Sequence, residues 1–166
     1  MSAPETLHSF APIGDERSRL LILGTMASPA SLRAGMYYGH PQNAFWHLLS
    51  ELTGEPIPTD NMQKRALLLR HGIALWDTLA SCERPGAADS DIRRELPSDI
   101  PALLRRCLHV RAVFLNGSAA YGFYQKYQAP HVRLPYYRLP STSPANARGG
   151  YAAKLAAWRA IVPFLI

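Results

Sequence analysis

Short apolar runs that alternate with helix-like segments constrain the fold of this 166-residue chain more than any other feature. We predict strands at 20–23, 73–76, 110–115 and about 132–139. The first three runs are almost continuously apolar, which is typical of strands covered by helices on both faces. Such strands belong to parallel sheets.

Helical segments are predicted between and after these strands, at 44–52, 60–71, 99–107, 118–127 and 151–161. Ser98 and Ser118 are predicted to cap the third and fourth helices, since a hydroxyl oxygen can accept a hydrogen bond from a backbone N–H group of the first turn. The alternation favours right-handed crossovers, and therefore a three-layer α/β/α fold around a mostly parallel sheet of about four strands. We expect one domain over 1–166, with the polar stretch 80–99 as a loop or a short broken helix.

The chain is basic, with 18 Lys and Arg against 12 Asp and Glu and a formal charge of +6. Fifteen of these cations are arginines, and the planar guanidinium group binds phosphate well. One interpretation is therefore a polyanionic partner, and the other is that the positive charge only keeps the protein soluble. The two cysteines and six histidines show no metal-ligand spacing, so we expect no metal. With no signal peptide and no long apolar run, we expect a cytoplasmic protein that does not bind membranes.

Four loops follow the carboxyl ends of the predicted strands, where open parallel sheets bind their ligands. They read GTMASPASLRAGMYYGHPQN, DTLASCERPGAADSD, NGSAAYG and PSTSPANARGG. None contains a glycine-rich dinucleotide or nucleoside-triphosphate motif, and NGSAAYG lacks the esterase Gly-x-Ser-x-Gly pattern. Asp77, at the end of the second strand, has two interpretations: it positions a ligand or water, or, as we prefer, it caps a turn or helix.

Three segments in these loops resemble one known family when taken in order. GTMAS (24–28), YYGHPQNAFW (37–46) and LPSTSPANAR (139–148) are similar to motifs of the uracil-DNA glycosylase superfamily. The closest likeness is to its hypoxanthine-DNA (deoxyinosine) branch and its mismatch-specific branch. The resemblance covers most of the chain from residue 20. It implies a monomeric enzyme that binds DNA and hydrolyses the N-glycosidic bond of a flipped base without a cofactor.

The resemblance also assigns roles within the first loop. Tyr38 matches the aromatic residue that stacks on the base, with Tyr37 as second choice; the alternative is that both tyrosines pack in the core. Met26 occupies the position of the usual water-orienting Asn, and a methionine side chain cannot orient water. In the hypoxanthine branch the Asn of the P-x-N-x-F-W motif takes the catalytic role, and the resemblance implies this role for Asn43. The alternative is that Asn43 is the N-cap of the following helix.

The remaining assignments concern the base pocket and the DNA backbone. Gly24, Thr25 and Met26 are expected to bind the substrate, with the backbone N–H groups of Thr25 and Met26 facing the departing base. Asn116 either contacts the base or is a turn residue.

The last loop is expected to meet DNA through Ser141, Ser143, Pro144 and Arg148. Its alternative role is a turn that caps the last helix through Asn146. Leu139 stands where many relatives carry a catalytic His or Asn.

Together these features favour a monofunctional glycosylase for hypoxanthine in deoxyinosine. One alternative is an enzyme for uracil or thymine opposite guanine. Another alternative is a module that binds damaged DNA without catalysis. This alternative agrees with Met26 and Leu139, which stand where relatives carry catalytic side chains. A hydrolase of free nucleosides is a weaker alternative.

Overall fold

Seven strands and six α-helices make up the computed structural model, which describes residues 5–146 and 149–166. The strands are β1 (Thr6–His8), β2 (Leu20–Gly24), β3 (Ile73–Asp77), β4 (Leu79–Glu83), β5 (Arg93–Pro97), β6 (Ala112–Asn116) and β7 (Tyr136–Leu139). The helices are α1 (Pro29–Ala34), α2 (Phe45–Thr53), α3 (Asn61–Arg70), α4 (Ile100–Arg106), α5 (Ser118–Tyr127) and α6 (Gly150–Trp158), with 3₁₀ turns at Asp89–Asp91 and Arg159–Phe164.

The central sheet has the strand order β3-β2-β6-β7, and all of its pairings are parallel. Leu20 and Ile22 of β2 pack into one apolar cluster with Phe114, whereas Leu21 and Leu23 pack into a second cluster on the opposite face. Both faces of the sheet are therefore covered, and the predicted three-layer α/β/α fold is confirmed. The fourth strand is shorter than predicted, because it begins at Tyr136 rather than near residue 132.

A second sheet was missed by the sequence analysis. β1, β4 and β5 pair antiparallel in the order β1-β4-β5, and β4 and β5 lie almost wholly within 80–99, where we expected a loop or a broken helix. Leu79 and Cys82 of β4 form a small buried cluster with Ile92, just before β5, and with Met26 of the first loop. Since most of β5 is polar and exposed, its sequence gives little strand signal.

The helix ends differ in detail from those predicted. Asp99, not Ser98, caps α4, since its Oδ1 accepts a hydrogen bond from the Ala102 N–H at 3.0 Å. Gly117 is the N-cap of α5, so Ser118 is the first helical residue rather than the cap. The six-residue helix α1 lies inside the long first loop and was not predicted. Within the described residues, no helix has the length and apolar character needed to cross a membrane.

Candidate functional site

A cavity of about 530 Å³ opens at the carboxyl ends of the parallel strands, between the loops that follow them. Every predicted site residue that the structure describes lines this cavity; they are Gly24, Thr25, Met26, Tyr38, Asn43, Asn116, Ser141, Ser143 and Pro144. Arg148 lies outside the described residues. The parallel sheet thus brings residues from distant parts of the chain to one site.

Tyr38 is held in the cavity wall by an aromatic partner. Its ring is stacked on that of Phe45, with centroids 4.1 Å apart and an interplanar angle of 28°. Its backbone has a φ of 54°, which is uncommon for a non-glycine residue and sets the direction of the side chain. Because Phe45 covers one face of the ring, the other face is the one left to a ligand in the cavity.

Tyr37 belongs mainly to the protein core. It is only 3% exposed, and its hydroxyl donates a hydrogen bond to the Ala11 carbonyl at 2.9 Å. The Trp46 indole N–H donates to the Tyr37 carbonyl at 3.0 Å, which fixes the backbone just before Tyr38. The core interpretation therefore describes Tyr37 better than the stacking one.

Asn43 lies just before α2 and its amide is locked in place. Its Oδ1 accepts a hydrogen bond from the Phe45 N–H at 3.0 Å. The N-cap position itself is occupied by Ala44, whose N–H donates to the Thr142 carbonyl of the last loop at 3.0 Å. Asn43 thus accepts a hydrogen bond from the first residue of α2, although it lies one residue before the N-cap. The same side chain lines the cavity.

Asn116 joins the third and fourth loops. The residue is 8% exposed, its Nδ2 donates to the Thr142 Oγ1 and its Oδ1 accepts from the Thr142 N–H, both at 3.0 Å. Gly117 allows the close approach, since it has a φ of 99° and a Cβ there would lie 3.0 Å from the Cβ of Ser141. The Asn116 amide therefore holds the last loop against the sheet, a role that neither of our two interpretations included. Thr142, only 1% exposed, was missed because nothing in the sequence marks it among its Ser and Pro neighbours.

The last loop consists of successive side-chain-to-backbone turns. The Ser141 Oγ accepts from the Ser143 N–H at 3.1 Å, and the Ser143 Oγ accepts from the Ala145 N–H at 3.2 Å. The Asn146 amide donates to the Ser141 carbonyl at 3.2 Å, and the N-cap of α6 is Gly149, with no side-chain cap. The alternative in which Asn146 caps the last helix is therefore wrong. Pro144 is exposed at the edge of the cavity.

Two backbone N–H groups at the start of the first loop have no hydrogen-bond partner among the described residues. Within the described residues, the N–H groups of Thr25 and Met26 make no hydrogen bond, whereas the carbonyl of Thr25 accepts one from Leu79. The Met26 side chain is 7% exposed and packs in the cluster of the small sheet. It is the backbone of this segment, rather than the methionine side chain, that offers polar groups to a ligand.

The end of β3 and the loop after β4 contribute a buried carboxyl and a buried guanidinium to the cavity wall. Asp77 is 3% exposed, and its Oδ2 has no hydrogen-bond partner among the described residues. Since β4 begins two residues later, Asp77 precedes no helix, and among the described residues no backbone N–H group donates to its Oδ2, so the preferred interpretation as a turn or helix cap finds no support. Arg84 is buried beside the same cavity, where it donates to the carbonyls of Ala27 at 2.7 Å and Gly86 at 2.9 Å.

The charged groups around Asp77 shift the pKa of its carboxyl in opposite directions. Burial, followed by the negative charge of Asp89, raises the pKa of Asp77 to about 7, while Arg84 acts in the opposite direction. Arg84 Nη1 lies 3.8 Å from Asp89 Oδ1, and the Asp89 side chain is 42% exposed at the rim. In residues 5–146 and 149–166, no group of three or more His, Cys, Asp or Glu side chains is arranged to hold a metal ion.

Comparison with known proteins gives consistent matches. The sequence model of the family described as the uracil DNA glycosylase superfamily matches residues 11–162. Two proteins named hypoxanthine DNA glycosylase, from Methanosarcina barkeri and Methanosarcina acetivorans, are each 36% identical over 143 residues, or 84% of this chain and 87% of theirs. The solution NMR structure of a putative uracil DNA glycosylase from Methanosarcina acetivorans superposes with a TM-score of 0.83 at 31% identity, covering 95% of this chain and 97% of that one.

Proposed function

Because this chain belongs to the uracil DNA glycosylase superfamily, we propose that its cavity hydrolyses the N-glycosidic bond of hypoxanthine in DNA. The two similar proteins that carry the name hypoxanthine DNA glycosylase support the choice of base. The observation that carries the proposal is the single cavity shared by all the predicted site residues that are described. Its volume of about 530 Å³ accommodates a purine nucleotide flipped out of the duplex.

Recognition of the flipped base rests on Tyr38. The free face of its ring stacks on the purine, and Phe45 supports the opposite face, so the stacking surface is rigid before the base arrives. Base–aromatic stacking contributes about 1–3 kcal/mol in other nucleic-acid complexes. This energy offsets part of the cost of taking the base out of the helix.

Asn43 is the catalytic residue of this proposal. The hydrogen bond from the Phe45 N–H uses one lone pair of Oδ1 and fixes the amide, which leaves a second lone pair to accept a hydrogen bond from a water molecule. An amide is a weak base, so Asn43 positions this water near the sugar carbon rather than removing its proton. A water held in this way suffices when the departure of the base leaves an oxocarbenium-like sugar.

Negative charge develops on the base as the bond breaks. The free N–H groups of Thr25 and Met26 are preorganised donors for that charge, and they act in a site from which the base excludes water. Asn116 acts indirectly in this proposal, because it holds the last loop and thereby one wall of the pocket.

The rim of the cavity meets the DNA backbone. Ser141, Ser143 and Pro144 lie on this rim with the exposed Arg33, and Arg148 follows in the chain. The guanidinium group of arginine suits phosphate, while Pro144 suits the space left in the base stack. The protein acts as a monomer in this proposal, since one cavity holds all the described groups.

A panel of labelled duplexes tests the proposal, each with one deoxyinosine, uracil or thymine opposite a normal base. Alkaline cleavage of the abasic sites after incubation reports base release. We expect strand breaks chiefly at deoxyinosine, and a large loss of them with Asn43→Ala. Breaks chiefly at uracil would refute the choice of base, and binding without breaks on any duplex would favour a non-enzymatic module.

A further inference from the structure

Asp77 is a buried carboxyl group of the cavity wall to which the mechanism above gives no role. It ends β3 and pairs in register with Gly24, the last residue of β2. The residue is 3% exposed, and its Oδ2 has no hydrogen-bond partner among the described residues. Buried polar atoms of proteins are nearly always paired, so a carboxyl oxygen with no protein partner in a cavity is available to bond a ligand group.

The surroundings of Gly24 place this carboxyl beside the proposed stacking surface. A Cβ at position 24 would lie 2.8 Å from Asp77 Oδ1 and 2.8 Å from the hydroxyl oxygen of Tyr38. The carboxyl and the edge of the Tyr38 ring therefore flank the same point. A base stacked on Tyr38 would therefore lie in the same part of the cavity as Asp77.

Hydrolysis of an N-glycosidic bond moves one proton from water to the departing base. The amide of Asn43 does not exchange protons in this pH range. Burial raises the pKa of the Tyr38 hydroxyl, which therefore keeps its proton. The carboxyl of Asp77 is the buried side chain of the cavity that can both release and take up a proton near neutral pH.

Several charged or titratable groups face Asp77. Tyr38 and the buried Tyr37 come from the first loop, and Arg84 and Asp89 both come from the loop that joins β4 to β5. His40 also lines the cavity, but its ring accepts a hydrogen bond from the Gln42 N–H in an exposed turn. The burial of Asp77 outweighs the nearby Arg84 cation, so the carboxyl is largely neutral below pH 7.

We propose that Asp77 is the general acid of this site and donates its proton to the departing base. This assignment rests on the proposed function. As the bond between C1′ and the base nitrogen breaks, its electron pair goes to the base, and the neutral carboxyl transfers its proton to an acceptor atom of the base. Water then bonds to C1′ and loses a proton to the Asp77 carboxylate, which returns the carboxyl to its neutral form. The products are the free neutral base and an abasic sugar, and no further reactant is needed.

Single-turnover excision from a deoxyinosine duplex, measured from pH 5.5 to pH 9, tests the assignment. The wild-type rate should fall above about pH 7, because the neutral carboxyl is lost. Asp77→Asn keeps the shape but cannot transfer a proton, and we expect it to be slower by about 100-fold or more at pH 6, as for the loss of a general acid. The difference should shrink as the pH rises, since the wild-type carboxyl is then ionised.

Asp91→Asn is the matched control, since it removes a carboxylate from the same loop region outside the cavity. Its rates should follow those of the wild type. A wild-type rate that is flat across the pH range would overturn the assignment without any variant, and so would an Asp77→Asn rate within threefold of wild type at pH 6. If the wild-type protein released no base from any duplex, the proposed function itself would fail, and the assignment with it.

Discussion

Replacing Asp77 with Asn should stabilise the fold at alkaline pH, because it removes a buried group that must ionise there. The carboxyl is 3% exposed and its pKa is raised from 3.8 to about 7 by burial, then by Asp89, against the effect of Arg84. A carboxyl whose pKa is higher in the folded state binds its proton more tightly there. Its contribution to stability is therefore complete below pH 3.8 and is lost as the pH rises to about 7.

The size of the effect follows from the shift in pKa. One pKa unit corresponds to about 1.4 kcal/mol, so the full shift amounts to about 4 kcal/mol. At pH 5 the unfolded state is already ionised while the folded state is not, which gives a penalty of about 1.5 kcal/mol. Between pH 5 and pH 8.5 the gain in stability of Asp77→Asn over wild type should therefore grow by about 2–3 kcal/mol.

Urea denaturation at pH 5, 7 and 8.5 measures this gain directly, and Asp91→Asn controls for the loss of one carboxylate. A gain that rises with pH and levels off above pH 8 is the expected result. If the free energies of unfolding of Asp77→Asn and wild type ran parallel from pH 5 to pH 8.5, the Asp77 carboxyl would not be held neutral by burial. Asp77 would then lack the neutral form near pH 7 that a general acid requires.

Three further changes probe the cavity wall. Tyr38→Leu should slow single-turnover excision by about 10- to 100-fold through lost stacking, while Tyr38→Phe stays within a few-fold of wild type; equal losses in both would contradict a stacking role. Asn116→Ala removes two buried hydrogen bonds to Thr142, so its free energy of unfolding should fall by about 2–4 kcal/mol, and a fall below 1 kcal/mol in urea would refute the clamp. Gly24→Ala puts a Cβ 2.8 Å from an Asp77 oxygen and from the Tyr38 hydroxyl, so excision should be lost. A variant as active as wild type would show that these two side chains can move away without harming the site.

The parallel sheet and the cavity could be predicted because their signals are local. Continuous apolar runs such as 20–23 are buried on both faces of the sheet, and they gave the fold class. Since parallel strands end at one edge, residues as distant as Thr25 and Ser141 were expected at one site, and both line the cavity.

The features that escaped prediction depend on residues distant in the chain. The strand β5 is mostly polar and exposed, so its pairing depends on β4 rather than on its own pattern. Thr142 is buried only because Asn116 holds it, and the sequence does not show that contact. The environment of Asp77 likewise depends on the later loop that carries Arg84 and Asp89.

The most direct test of the account is hydrolysis of a deoxyinosine duplex in water enriched in oxygen-18, followed by mass spectrometry of the products. The proposed chemistry predicts free hypoxanthine of ordinary mass and an abasic sugar that carries one heavy oxygen, with an intact DNA backbone before alkali. Both products should be strongly reduced with Asn43→Ala. No release of hypoxanthine, or backbone cleavage with the base still attached to its sugar, would contradict the claim that this cavity cleaves the N-glycosidic bond.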